Sequence, residues 1–417
     1  MRIQYLDGLR GWAALFVLFH HLLLAFAPDR HEAALQASPT AAALGFLTDG
    51  PLAVAIFFFL SGVVLTAAMT AARERGGQQA GFTALMLKRW LRLGLPILAA
   101  ALLVLALFAL GMDRSIAIGW ATESSFMRGF FQPGYHPTLP MILKEALIDA
   151  FIGPTPPHDP VLWTIRIEFA GSALVFALAL LLPPGRHRMA AALILGTLLA
   201  LLPPAWPDRF ALGWIGNYCA LFMLGMAMHD WLWLAAQRGQ RMADWRDAPW
   251  RDAPWRDALG LTLIVLGLLL YPLFGIRVYD VAATPPVIGT GQAILGGSQL
   301  RAAMVVAGVL LSPTLQQVLS TAVSAFLGRI SFGLYLLHAP LIWSAGGLVY
   351  LPLANQIGHC PAALLASVLV IALSLSLSAV FHAAVERPSM RLSARAVAWL
   401  SVPRKVARRQ PVSATSV

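Results

Sequence analysis

Apolar runs of about 20 residues recur along the whole chain, as at 51–71, 94–112 and 361–384. A run of that length is what an α-helix needs to cross the hydrocarbon core of a bilayer. In lipid every backbone N–H and C=O must be satisfied within the protein, which leaves helices as the economical solution for such runs. Charge supports this. Charged residues are 12% of the 417, about half the roughly 25% of soluble domains. A soluble enzyme and a disordered chain are both excluded. The spacing predicts an all-α, polytopic membrane bundle of about ten transmembrane helices. The expected spans are 8–27, 51–71, 94–112, 160–182, 189–203, 210–231, 258–275, 298–312, 331–350 and 361–384.

Lys and Arg number 30 against 19 Asp and Glu, a net charge of +11. In a soluble protein that excess would suggest nucleic acid; here cytoplasmic loops account for it, and no nucleic-acid partner is expected. With the N-terminus in the cytoplasm, about 21 of the 30 basic residues fall in cytoplasmic segments, six outside and three (Arg10, Arg166, Arg301) within spans. An even span number puts the C-terminus in the cytoplasm too. The first apolar run begins almost at Met1 and carries Asp7 and Arg10, so it reads as a retained span rather than a cleaved signal. Cys219 and Cys360 form neither a disulfide framework nor a metal spacing, and no metal is expected. The Ala- and Arg-rich composition with short loops suggests a bacterial cytoplasmic (inner) membrane.

The chain divides into a membrane domain, 1–388, and a basic cytoplasmic tail, 389–417, whose Arg404, Lys405, Arg408 and Arg409 would be drawn to anionic membrane lipid. Within the first, 232–257 reads as a cytoplasmic loop in which WRDAP nearly repeats three times over 245–258. A Pro in each full unit argues against helix there, with Trp at headgroup depth. The longest loop, 113–159, holds Trp120, Phe130, Phe131, Tyr135, His136 and an amphipathic piece from Met141 to Phe151. It either caps an external opening or lies on the lipid interface.

Ionisable residues within spans are costly and mark function by default. The first span, YLDGLRGWAALFVLFHHLL, contains Asp7, Arg10, His20 and His21. Arg10 and His21 are eleven residues apart, about three full turns, so they share a face, with His20 about 80° off it. About 16 Å of helix separates them, a spacing suited to the two ends of one elongated ligand. Asp7 lies near the same face, or caps the helix. Ser61, in FFFLSG, pairs with the first helix or bonds back to its own backbone. Arg89 and Arg92, in KRWLRLGLP, stand one turn apart at an expected cytoplasmic helix start, where guanidiniums and free N–H groups suit a phosphate; the plainer reading is topology-setting charge. In LWTIRIEF, Arg166 and Glu168 point about 160° apart, so each needs a partner elsewhere. Ser331, Tyr335 and His338 in SFGLYLLHAPLI share a face. Glu386-Arg387-Pro388 reads as a helix stop.

These six segments, in this order from residue 5 to about 388, resemble the signature of the acyltransferase-3 family of integral membrane O-acyltransferases. The resemblance implies transfer of an acyl group, usually acetyl, from cytoplasmic acyl-CoA to a hydroxyl of a surface glycan or, in some members, a small molecule. It implies Arg10 and His21 as the essential pair, His20 as an extra neighbour, Arg89 and Arg92 as the family's RxxR pair, Glu168 as its fourth-span acid and His338 as its ninth-span histidine. Two departures stand out: Gly94-Leu95 lengthens the usual gap to Pro96, and Arg166 replaces an uncharged residue. The short tail holds no hydrolase-type carrier domain, so any external relay would be a separate protein, such as a polysaccharide assembly component.

The expectation is therefore a membrane acyltransferase with acetyl-CoA as co-substrate. Arg89, Arg92 and Arg10 would hold the donor, with Ser61, Tyr335 and His338 also at its binding site. His21 would act as general base, and Glu168 or Asp7 would orient groups or balance charge. Buried His, Glu and Arg also suit a proton-coupled transporter or flippase of a glycan precursor, but the repeated halves usual in such folds are not visible.

Overall fold

The structure, a computed structural model, describes residues 3–28, 44–75, 81–131, 134–153, 158–202, 212–238, 254–274 and 297–400. Among these there are helices and turns and no strand. The helices are α1 (Gln4–Phe26), α2 (Gly50–Glu74), α3 (Phe82–Ala109), α4 (Ser115–Ala121), α5 (Ser125–Arg128), α6 (Leu139–Lys144), α7 (Trp163–Leu181), α8 (Arg186–Ala200), α9 (Leu212–Arg238), α10 (Pro254–Phe274), α11 (Ser298–Leu311), α12 (Pro313–Val318), α13 (Ala322–Leu341), α14 (Gly347–Ile357), α15 (His359–Phe381) and α16 (Arg387–Leu400). π-helical turns at Glu145–Asp149, Ile342–Gly346 and His382–Glu386 join α6 to Ala150–Ile152, α13 to α14 and α15 to α16.

Seven helical runs are long and apolar enough to cross a membrane, matching the first four, the sixth and the last two expected spans. The other three correspond to α8, α10 and α11, of 15, 21 and 14 residues. At about 1.5 Å per residue, α8 and α11 reach only about 21–22 Å, short of a hydrocarbon core of about 30 Å.

Three sequence expectations are overturned. The third helix starts at Phe82, so Arg89 and Arg92 lie two turns inside it, where their N–H groups serve the helix and none is free for a ligand. Pro96 is held within this helix; the Arg92 carbonyl that it deprives of a donor faces the Ser389 hydroxyl, at 3.4 Å. Glu386-Arg387-Pro388 does not stop the last span. A π turn absorbs it, Pro388 is the second residue of α16, and α16 continues along α3. The last WRDAP copy is helical: Pro254 opens α10, a first-turn position that needs no N–H, and Asp257 bonds Ser312 and Thr314. Residues 245–253 and the tail beyond 400 lie outside the described residues.

The helix pairs that position the site meet through glycine. α1 and α13 run side by side in the same direction; a Cβ on Gly8 would lie 2.0 Å from the Leu319 carbonyl oxygen, and one on Gly11 2.4 Å from the Gly328 nitrogen. Between α2 and α9, Gly62 and Gly225 do the same against Phe222 and Phe59. Without a hydrophobic drive between helices in lipid, close backbone approach supplies the packing.

The long loop is a packed structure rather than an interfacial strap. Thr122 and Ser124 donate to the carbonyls of Ala25 (2.8 Å) and Leu24 (2.5 Å), closing over the end of α1. The stretch from Leu139 to Ile152 lies along α3, where Trp90 donates to the Leu147 carbonyl at 2.9 Å and Phe151 packs beside Gly94.

Candidate active site

Two polar clusters lie along α1. At its N-terminal half, Arg10 donates through Nε to the Ser331 hydroxyl (3.0 Å) and through Nη2 to the Gly328 carbonyl (3.2 Å), and pairs with Asp7 at 3.2 Å. Asp7 thus serves Arg10; the N-cap position, Ile3, has no side-chain cap. From α3, buried Arg89 forms an ion pair with Glu168 of α7, and Ser61 of α2 donates to the same carboxylate oxygen at 2.7 Å. Ser61 therefore bonds neither α1 nor its own backbone; Thr66 is the residue that bonds back, to Gly62. Glu168 and Asp7 each balance a different arginine. Arg92 is exposed and makes no hydrogen bond or ion pair among the described residues, and Arg89 Nε is buried without a partner.

Arg10, Arg89 and Arg92 interact electrostatically, so they form one cationic cluster. Arg166 is not part of it: no charged group acts on it, and its Nε is buried without a partner among the described residues.

At the other end of α1, His21 Nδ1 lies 2.9 Å from His338 Nε2, with the two ring planes 18° from parallel. His338 Nδ1 lies 3.0 Å from the Leu334 carbonyl, which can only accept. For a neutral pair this fixes both tautomers. His338 carries its proton on Nδ1, its Nε2 accepts from His21 Nδ1–H, and His21 Nε2 is left with a lone pair. Phe126 of α5 lies almost parallel to His21, with centroids 5.1 Å apart. His20 Nδ1 donates to the Thr48 carbonyl at 2.8 Å, and Gly50 leaves room for its ring. A cavity opens beside both histidines, walled by Val161, Trp163, Tyr218 and Tyr335. Tyr335 bonds the Thr164 hydroxyl (2.7 Å) and the Val161 carbonyl, which ties α13 to the start of α7.

The periodicity argument is met: Arg10 and His21 both face α13, one at each cluster. Ser331 and His338 meet α1, while Tyr335 meets α7. Other buried charges are structural and were less visible in sequence. Arg188, counted as a loop charge, is buried in a two-bond pair with Asp230 (2.7 and 2.5 Å) and also bonds Thr70. Arg301 pairs with Asp49, the N-cap of α2, at 2.5 Å. Glu145 accepts from Tyr135 (3.2 Å) and from the His158 ring (2.7 Å). Burial and this carboxylate raise the Tyr135 pKa. The signals in the sequence were Arg301, a cation inside an expected span, and Asp230, an acid within an apolar run. No group of acidic, His and Cys side chains suited to a metal occurs among the described residues.

The chain has no match among curated proteins or solved structures. The family model for the acyltransferase domain does match, over residues 3–382. It spans both clusters and the helices that hold them, and it favours transferase chemistry over transport. With several apolar helices around a paired-histidine site, the chain is a multi-pass membrane protein and belongs to the acyltransferase-3 family.

Proposed function

We propose that the protein transfers an acetyl group from cytoplasmic acyl-CoA to a hydroxyl of a surface or exported glycan, in the cytoplasmic membrane and with both termini in the cytoplasm. The observation that carries this reading is the bare Nε2 of His21. A hydrogen-bond chain holds it beside a cavity, about 16 Å along α1 from a cationic cluster whose Arg92 has no hydrogen-bond or ion-pair partner among the described residues. Arg92 and Arg89 hold the donor phosphates by charge-assisted bonds. The arm of the donor runs along α1 past Arg10 and places its thioester near His21.

His21 Nε2 takes the proton of the acceptor hydroxyl as the oxygen attacks the thioester carbon. The carbon–sulfur bond breaks, and the imidazolium returns the proton to the departing thiolate. His338 holds the tautomer and the ring orientation, a role like that of the buried acid in a serine-protease triad. This makes it a positioning residue rather than a donor ligand. Asp7, Glu168 and Ser61 position Arg10 and Arg89.

Calorimetry on detergent-purified protein, joined to transfer of labelled acetyl into membrane glycan, tests the reading. Wild type should bind acetyl-CoA saturably; Arg92→Ala should bind at least about tenfold more weakly, the loss of one charged contact. His21→Ala should bind normally and transfer nothing. Full transfer by His21→Ala at normal expression would refute the base assignment. Absence of binding in folded wild type would remove acyl-CoA as donor.

A further inference from the structure

At the junction of α3, α13 and the α15–α16 run, two groups of opposite charge stand without closing on each other. Glu386 is 7% exposed. Its Oε2 lies 2.7 Å from His382 Nδ1, but its Oε1 is buried with no hydrogen-bond partner. Across from it, Arg92 is within Coulombic range and makes no ion pair. One turn further, Ser389 directs its hydroxyl at the carbonyls of Leu91 and Arg92, at 3.1 and 3.4 Å, and so fastens this turn beside Arg92. On the third side is Gly333, where a Cβ would lie 3.1 Å from Glu386 Oε1.

A carboxylate present only to hold the fold would pair with the free guanidinium beside it. A buried oxygen left unmatched is costly, and such exceptions gather where a ligand completes them. The local backbone agrees: His382 and Glu386 are the two ends of a π turn, a helix irregularity frequent at functional sites. A cation and a bare acceptor thus stand near each other unpaired, a combination that suits a molecule carrying phosphate and, further along, an N–H.

We infer that Glu386 Oε1 accepts a hydrogen bond from an amide N–H in the pantetheine arm of the acyl-CoA whose phosphates Arg92 holds. This rests on the donor assigned above, whose arm contains two amide groups. Glu386 is then a donor-binding residue, and His382 orients it.

The test compares acetyl-CoA with adenosine 3′,5′-bisphosphate, which has the base and a phosphate at each of the 3′ and 5′ positions but no amide, by calorimetry on the full chain. Glu386→Leu should weaken acetyl-CoA about tenfold. It should leave the nucleotide unchanged or tighter, because a negative charge has left the neighbourhood of Arg92. Glu386→Gln keeps an acceptor oxygen and should stay within about threefold of wild type for acetyl-CoA. A ligand-side arm does not depend on the variants folding: an acetyl-CoA analogue with both amide N–H groups replaced by ester oxygens should bind wild type about tenfold more weakly. Equal losses for both ligands in Glu386→Leu, or an analogue that binds as well as acetyl-CoA, would overturn the inference. If wild type binds neither ligand, the donor assignment itself fails. If it binds acetyl-CoA and Glu386→Leu binds it equally well, this inference alone fails.

Discussion

Gly11→Ala tests whether the α1–α13 contact builds the site. The added Cβ would sit 2.4 Å from both the Gly328 nitrogen and the Leu327 carbonyl carbon, and 2.7 Å from Leu327 Cβ. Non-bonded carbon atoms settle at about 3.5–4.0 Å, so the two helices must part by about 1 Å. Every polar link between them is then strained. The Arg10 bonds at 3.0 and 3.2 Å and the His21–His338 bond at 2.9 Å leave the usual range of about 2.7–3.2 Å. Overpacking costs about 1–3 kcal/mol. The charged bonds from Arg10 add to this, discounted because its side chain is 35% exposed. A total near 3 kcal/mol is reasonable, and if it falls on the geometry of the two clusters it slows transfer roughly 100-fold. Gly81→Ala is the control, since its Cβ would meet nothing within 4 Å. Thermal unfolding in detergent and acetyl transfer would be measured on both. A Gly11→Ala protein indistinguishable from Gly81→Ala in melting and rate would refute the reasoning.

His338→Leu leaves the His21 Nδ1–H without its acceptor, a penalty of about 1–3 kcal/mol, and should slow transfer about 5- to 150-fold with acetyl-CoA affinity unchanged. His338→Gln restores an acceptor and should recover part of the rate; an unaltered rate in the Leu variant would show that His21 needs no orienting partner. Away from the site, Arg188→Met strands Asp230, which is 0% exposed, and should destabilise the protein by about 3–5 kcal/mol. Adding Asp230→Leu should regain most of that loss in thermal unfolding, and a double variant as unstable as the single would argue against the pair as the cause.

Much of the molecule is legible in residue order because its cause is local. Runs of apolar residues define helices in lipid whatever surrounds them. The 100° step per residue puts Arg10 and His21 on one face without reference to any other helix. Charge within those runs marked Arg10, His21 and Glu168 for the same reason: an ionisable group in a span needs an explanation. Helix ends were less legible. The start expected at Arg89 and Arg92 and the stop expected at Pro388 both lie inside helical runs, one extended back to Phe82 and the other carried through a π turn.

Partners were decided only in three dimensions. Arg10 and Ser331 are 321 residues apart in the chain, and His21 and His338 317. Helical spacing carries no information about which faces meet at such separations. Close approach at Gly8, Gly11 and Gly328 sets the register of α1 on α13 and so chooses those pairs. The same holds for Ser61, Arg89 and Glu168, contributed by three helices, and for Arg188, a surface charge by its position in the sequence and a buried one by its contact with Asp230. The pattern of one helix determines what a residue faces; the packing of two determines what it touches.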